Sequence, residues 1–219
     1  MAKNKVILAL DSSASPLLCA LEARGKVYAA KKSGLKQEEL IFPLLKKLFA
    51  GAGCALADVD KVFFIKGPGR FTGIRIGITL ASMLNVLAGS ETASATVFDA
   101  LKYQAAGAAK GRVIVAVAHA SRDEYFAQIC DGKQQPLWLG LDDLKALLKK
   151  QKRPLFICGR GKDGAPLKTI LGGPYSYAPA ALNKIRGATL IALAKITKTP
   201  KAQVLEPLYL KPARFETGK

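Results

Sequence analysis

Histidine is almost absent from this sequence, in which His119 is the single example. A metal site built from several imidazole ligands is therefore excluded, and so is the histidine pair of an HxxxH metal-binding motif. Ser121 lies close to His119, but no second histidine or acid–base partner accompanies them, so a hydrolase triad is not supported. We expect no metal ion and no cofactor.

Cysteine is scarce as well. The four thiols are Cys19, Cys54, Cys130 and Cys158, and no two of them form a CxxC pair. Their neighbours along the chain are apolar or strand-like, which is typical of free, buried thiols in a reducing compartment.

Long apolar runs are missing, although 50% of the residues are hydrophobic. None approaches the ~20 residues of a membrane-spanning helix, and the apolar run near the basic N-terminus is too short for a signal peptide. We therefore expect a cytoplasmic protein without membrane contact. The apolar share argues against long disordered segments and suffices for one large domain or two small ones.

Acidic residues are in short supply, since 16 Asp and Glu stand against 34 Lys and Arg. Residues 1–101 carry 13 basic and 8 acidic side chains, whereas residues 102–219 carry 21 and 8. Two interpretations stay open. A basic half attracts nucleic-acid phosphates, and lysines scattered singly or in short pairs are also typical of a solvated surface.

The order of the apolar segments predicts two similar α/β lobes. A buried strand from Val6 to Leu10 comes first, and a hairpin with Arg24-Gly25 at its turn follows. An amphipathic helix then leads to a strand from Val62 to Ile65. Because the second half repeats this order, we predict lobes at residues 1–101 and 102–219, with the C-terminal tail packing back on the first lobe.

A glycine-rich segment, IKGPGRFTGIRIG, reads as a strand end, a tight turn and the start of a helix. It lacks the GxxxxGK followed by Ser or Thr that a P-loop requires. Gly67, Gly69 and Gly73 are spaced one residue too far apart for a dinucleotide-binding GxGxxG. Pro68 also removes a backbone N–H that a phosphate would use. The segment therefore predicts a strand-to-helix turn rather than a phosphate cradle.

The helix after this turn is apolar almost all round, which predicts burial on more than one face. Thr72 is its predicted N-cap. Gly73, Gly77 and Ala81 are four residues apart and form a stripe of minimal side chains, which lets another helix approach closely. That helix can come from the same chain or from a second protein, and we expect it to belong to a partner or a second copy. The predicted interface residues are Thr72, Gly73, Ile74, Gly77, Ile78, Ala81 and Leu84, with Leu44 and Leu48 on the preceding helix.

An ATP-dependent small-molecule kinase or ATPase is the alternative from another class of protein, and a direct RNA binder is a third. Kinases and ATPases built from two α/β lobes hold Mg²⁺ and phosphates with an acidic residue and glycines at the start of each lobe. Asp11 fits the acidic residue of the first lobe, but the DSSAS segment lacks the glycine. In the second lobe the corresponding strand ends at His119, where an acidic residue would be needed. We interpret Asp11 as the cap of the turn after its strand. A vestigial nucleotide site would comprise Asp11, Ser12, Gly67 and Gly69.

The segment GPGRFTGIRIG resembles the GPGSFTGxRxG signature of the TsaB (YeaZ) family. ILALDSS and LEPLYLK resemble that family's first strand and its P-x-Y-L-R ending. The resemblance implies a two-lobed α/β protein with the actin-like ATPase (ASKHA) fold, each lobe a mixed sheet with helices. It also implies a non-catalytic accessory subunit for threonylcarbamoyl modification of the tRNA adenosine next to the anticodon.

The same resemblance implies partners. They are a TsaD-type catalytic homologue bound through the helices of the first lobe, a TsaE-type ATPase, and a second copy of the chain on the same surface, while tRNA is met indirectly. The chain departs from the family pattern in three segments. Arg70 stands in place of serine, Gln37 and Glu38 in place of His-Ser, and His119, Ala120 and Ser121 in place of Asp-Ala-Arg, with Glu124 retained.

Overall fold

The computed structural model describes residues 5–34, 36–132, 134–200 and 205–211. The chain forms two compact units, each made from two stretches of sequence. Unit 1 comprises Met1–Val97 and Arg186–Leu208, and unit 2 comprises Phe98–Ile185 and Tyr209–Lys219.

Unit 1 contains a mixed five-stranded sheet in the order β3-β2-β1-β4-β5. The first three strands pair antiparallel, and β4 and β5 continue parallel to β1. The β2–β3 hairpin turns at Arg24 and Gly25, where φ is positive at both residues as a two-residue hairpin turn requires. The strands are β1 (Ile7–Asp11), β2 (Leu17–Ala23), β3 (Lys26–Lys32), β4 (Lys61–Ile65) and β5 (Glu91–Ala95).

Helices cover both faces of this sheet, which is why β1 is apolar from Ile7 to Leu10 and β4 from Val62 to Ile65. One face, with Leu8 and Leu10, forms a core with the first two helices. The other face takes the last helix, whose Gly187 lies so close that a Cβ there would be 2.6 Å from the Cβ of Ala29. The three helices are α1 (Gln37–Ala52), α2 (Phe71–Ala88) and α6 (Gly187–Ile196).

Unit 2 repeats the arrangement. Its sheet has the order β10-β9-β6-β7-β8, in which β6, β7 and β8 are antiparallel neighbours and β9 and β10 run parallel to β6. The strands are β6 (Val113–Ser121), β7 (Glu124–Ile129), β8 (Leu137–Gly140), β9 (Leu155–Arg160) and β10 (Ser176–Tyr177), and the helices are α3 (Val97–Ala109), α4 (Leu141–Lys149) and α5 (Leu167–Leu171).

Both units thus have three antiparallel strands, a helix, a parallel strand, a second helix and a further parallel strand, in the same spatial order. The predicted fold class, a two-lobed α/β protein with a mixed sheet and helices in each lobe, is confirmed. The boundaries differ from the predicted 1–101 and 102–219. Residues 98–101 belong to unit 2, and residues 186–208, which carry α6, belong to unit 1.

All four cysteines are free thiols. Cys19 and Cys158 are buried, as predicted, whereas Cys54 and Cys130 are half-buried. Burial raises the pKa of Cys19 and of Cys158 to about 12, and raises that of Cys130 to about 11.

Alkylation should be faster at the half-buried thiols than at the buried ones, because the thiolate is the reactive form and burial disfavours it. With iodoacetamide at pH 7.5, we expect Cys54 to react first in the native protein and Cys19 and Cys158 to react only after unfolding. Peptide mass spectrometry of native and urea-unfolded samples reads out each site. Native-state alkylation of Cys19 at the rate of the unfolded chain would contradict this burial.

Candidate functional site

The loop after β1 lies directly against the start of α2, where the glycine-rich turn meets the helix. A Cβ at Gly69 would be 2.2 Å from the carbonyl oxygen of Ser13, and a Cβ at Gly73 would be 1.9 Å from that of Ser12. Real Cβ atoms do not come so near to an oxygen, so only glycine fits at both positions. The backbone N–H of Arg70 donates a hydrogen bond of 2.7 Å to the Ser13 oxygen.

Asp11 ends β1 and is buried. Its Oδ1 accepts hydrogen bonds from the Ser13 N–H at 3.0 Å and from the Ser13 hydroxyl at 2.6 Å. The carboxylate therefore caps the turn after the strand, and the interpretation made from the sequence is confirmed. Ser12 is buried in the same loop, with its hydroxyl facing Gly77.

Gly67 is held by the C-terminal segment of unit 1. Its φ is +118°, a conformation that favours glycine, and a Cβ there would be 2.6 Å from the carbonyl oxygen of Leu208. Leu208 in turn donates its N–H to the carbonyl oxygen of Lys66 at 2.7 Å. The end of β4 is thus covered by the chain that follows α6.

These contacts bring Asp11, Ser12, Gly67 and Gly69 into one region, as expected for a vestigial nucleotide site. A phosphate cradle, however, needs free N–H groups at a helix N-terminus and open space beside its glycines. Here the Arg70 N–H is bonded to Ser13, and the space beside Gly69 holds the Ser13 carbonyl. The glycines serve close packing of the chain on itself.

The predicted interface residues on α2 prove to be mostly internal. The stripe of small residues faces the loop after β1 instead of a partner, because Ser12 occupies the groove that it forms. The helix begins at Phe71 with Arg70 at the N-cap position, so the prediction of Thr72 as the N-cap was wrong. Buried residues are Gly73, Ile74, Gly77, Ala81 and Leu84 on α2 and Leu44 and Leu48 on α1, whereas Ile78 is half-buried and Thr72 is exposed.

The surface of α2 that faces away from the core exposes six side chains, of which the three apolar ones lie at the two ends of the helix. Val86 and Leu87 are 80% and 76% exposed, and Phe71 is 45% exposed. The Arg75 guanidinium lies 3.8 Å from the centre of the Phe71 ring, so it covers one end of this surface. Phe42 on α1, the helix that packs beside α2, is 59% exposed. We call Phe42, Phe71, Val86 and Leu87 the apolar face.

Length and hydropathy alone would let α2 cross a membrane. The helix packs through Leu80, Ala81 and Leu84 into the core of unit 1, against β4 and β5. Helices at the core of soluble proteins pass the same test of length and composition, so this feature is weak support for a membrane span.

The residues of the apolar face were missed because the sequence does not report the rotation of α2 about its axis. A stripe of small residues at four-residue spacing fits a contact with another helix or with the chain's own loop equally well. The one signal in the sequence was the apolar pair Val86-Leu87 in the last turn of the helix, just before Gly89 ends it.

In unit 2 the segment equivalent to the loop after β1 is the tight turn between β6 and β7. His119 Nε2 lies 2.9 Å from the carbonyl oxygen of Arg122, and its ring packs edge-on against Tyr125. Ser121 donates a 2.5 Å hydrogen bond to Glu124, which also accepts one from Lys211. The Lys211 bond, followed by that from Ser121, lowers the pKa of Glu124. These groups hold one another in a closed cluster.

No group of three or more His, Cys, Asp or Glu side chains within the described ranges is arranged to hold a metal ion.

A family model described as "TsaD: tRNA N6-adenosine threonylcarbamoyltransferase" matches residues 31–128. The Bacillus subtilis tRNA threonylcarbamoyladenosine biosynthesis protein TsaB is 27% identical, over 96% of this chain and 96% of that protein. The TsaB of Buchnera aphidicola from Schizaphis graminum is 36% identical over 38% of this chain, an alignment that spans 40% of that relative.

The chain is similar to TsaB (YeaZ) proteins along almost its whole length. A solved structure of YeaZ from Pseudomonas aeruginosa, with 22% identity, superposes with a TM-score of 0.71 over 94% of this chain and 100% of that one. At this identity the likeness shows the fold. It agrees with the repeated strand order of the two units.

Proposed function

We propose that this chain is a non-catalytic subunit that binds and activates a TsaD-type catalytic homologue, which carries out threonylcarbamoyl modification of the tRNA adenosine next to the anticodon. Its relatives are named for tRNA threonylcarbamoyladenosine biosynthesis, which supports the pathway. The TsaD family model matches part of the chain, which supports a homologous partner.

The apolar face is the single observation that carries the binding role. Val86 and Leu87 on α2 and Phe42 on α1 place large apolar side chains in water, which is unfavourable unless another surface covers them. Arg75 is the one charged residue along α2. Interfaces of stable complexes have such a centre, poor in charge and rich in aromatic and aliphatic anchors.

An accessory role also agrees with the way the nucleotide region is filled. The Asp11 carboxylate is bonded to Ser13, and Ser13 takes the Arg70 N–H that would otherwise point at a phosphate. A kinase or ATPase of this fold needs both groups for Mg²⁺ and the phosphates. We therefore place the chemistry on the partner subunit.

The remaining parts of the proposal are a TsaE-type ATPase as a further component, a homodimer through the apolar face when the catalytic partner is absent, and a cytoplasmic location. In a homodimer the same four side chains of the apolar face would meet their own copies around a twofold axis, as isologous interfaces do. Dimer and partner complex would then exclude each other.

The experiment is to co-express the chain with the TsaD-type homologue of the same organism. We expect one complex by size-exclusion chromatography with light scattering, and threonylcarbamoyladenosine formation that requires both chains. Separate elution of the two proteins, or full activity without this chain, would contradict the proposal. Calorimetry with Mg-ATP tests the alternative, and tight binding by the isolated chain would favour a kinase or ATPase.

A further inference from the structure

The amino ends of two neighbouring parallel strands of unit 2 carry a dense group of basic residues. β6 and β9 are paired in parallel from Val113 and Leu155 onward, so the residues just before them lie side by side. The Val113 N–H donates to the Pro154 carbonyl at 2.9 Å, which fixes the two ends together. We call the following residues the basic edge: Lys110, Arg112, Lys149, Lys150, Lys152 and Arg153.

Backbone hydrogen bonds fix the segments that carry the basic edge. Arg112 follows the tight turn after α3, where its N–H donates to the Ala109 carbonyl at 3.0 Å. Lys149 closes α4, and the Lys150 N–H continues the helical bonding to Ala146 at 3.2 Å. All six side chains of the basic edge are exposed.

Few acidic side chains lie near the basic edge to neutralise its positive charge. Asp131, after β7, is the one acid in the described segments 110–113, 129–132 and 149–155. It pairs with Arg153 at 3.0 Å. Asp142 and Asp143 lie in the first turn of α4, at the opposite end of the helix from Lys149. The charges of Lys110, Lys149, Lys150 and Lys152 are therefore unpaired within the described part of the chain.

This edge is distinct from the nucleotide region considered above. In sheets with parallel strands, small ligands bind at the carboxyl ends of the strands. His119 and Gly161 mark the carboxyl ends of β6 and β9, whereas the basic edge lies at their amino ends. The basic edge therefore lies at the end of the unit 2 sheet opposite to the end at which sheets of parallel strands bind small ligands.

We propose that the basic edge is an RNA-binding surface that contacts the phosphate backbone directly. Unpaired, exposed lysines from two strand ends and a helix end match the charge of a polyanion, and lysine contacts to phosphate carry no base specificity. The inference takes from the proposed function only the class of substrate, an RNA. It adds a direct contact where the family resemblance implies an indirect one.

RNA is favoured over an anionic membrane by the composition of this edge. Surfaces that bind membranes combine basic residues with large apolar side chains that enter the bilayer. The six residues of the basic edge include no such side chain, and the exposed residues Pro154 and Gly111 beside them are small.

The test compares two triple variants of the isolated chain, each of which lowers the net charge by the same amount. Lys149→Gln/Lys150→Gln/Lys152→Gln changes the basic edge. Lys31→Gln/Lys32→Gln/Lys47→Gln changes three exposed lysines on β3 and α1 of unit 1. Filter binding of unfractionated bacterial tRNA is measured from 50 to 200 mM KCl, and circular dichroism checks that each variant is folded.

We expect the basic-edge variant to bind tRNA at least about tenfold more weakly at 100 mM KCl, with a slope of log K against log[salt] smaller by about 2, because three phosphate contacts are lost. The control should change affinity by less than about threefold. Equal losses in the two variants, or no loss in either, would overturn the proposal. Binding of phosphatidylserine vesicles that competes with tRNA and depends on the same three lysines would also count against it.

This outcome is separate from that of the proposed function. Complex formation with a TsaD-type homologue concerns the apolar face of unit 1, whereas tRNA binding by the isolated chain concerns unit 2. Either result can be positive when the other is negative.

Discussion

Replacing Gly73 with alanine is expected to lower the melting temperature by ~6–12 °C. The new Cβ would be 1.9 Å from the Ser12 carbonyl oxygen and would also approach Gln37 Oε1 at 2.7 Å. Since the first of these is a backbone atom, relief requires α2 to move away from the loop after β1. Overpacking of this kind costs about 3 kcal/mol, which corresponds to that shift for a protein of this size.

Gly107→Ala is the matched control, because Gly107 is also within a helix and its Cβ would meet nothing within 4 Å. Alanine is the better helix former by ~1 kcal/mol, so this variant should be slightly more stable. Thermal unfolding by circular dichroism measures both changes. If Gly73→Ala were as stable as the wild type, the close contact between α2 and the β1 loop would be refuted.

The contact between α2 and the loop after β1 also determines what the variant Gly77→Glu would test. If the stripe of small residues were a partner surface, Gly77→Glu would abolish association and leave the chain folded. Gly77 faces the buried Ser12 hydroxyl, with 2.9 Å from a Cβ to that oxygen. A glutamate there has to displace the loop, so its effect is on folding and does not report on association.

The sequence was sufficient for most of the fold because local patterns and long-range packing agree. β1 and β4 each contain a continuous apolar run of four residues, and burial on both faces of the sheet accounts for these runs. Arg24-Gly25 supplies the positive φ values of a hairpin turn. α6 was placed in the wrong unit, since an apolar helix such as ATLIALAKI packs equally well on either sheet and its sequence does not say which.

The candidate site was predicted less well, and the physical reason is the ambiguity of glycine. Gly69 and Gly73 signal that something comes close, but not whether it is a ligand, a partner or the chain itself. The structure places the Ser12 and Ser13 carbonyls there. Asp11 was predicted correctly because a carboxylate that precedes two serines has hydrogen-bond donors within its own turn.

The variant Val86→Glu should reduce affinity for the TsaD-type homologue at least about thirtyfold, equivalent to about 2 kcal/mol. Val86 is 80% exposed in the free chain, and glutamate suits a helix at least as well as valine, so folding should be unchanged. In a complex that covers the apolar face, the carboxylate would be removed from water without a partner charge, which is costly. Biolayer interferometry against the immobilised homologue measures the change.

Val27→Glu is the control, because it introduces the same charge at a valine that is 47% exposed on the edge strand β3, outside the apolar face. It should bind the homologue as the wild type does, whereas Val86→Glu does not. If both variants lost affinity equally, long-range repulsion by the added charge would explain the result. If Val27→Glu alone lost affinity, the partner would contact β3, and the assignment of the apolar face would have to be abandoned.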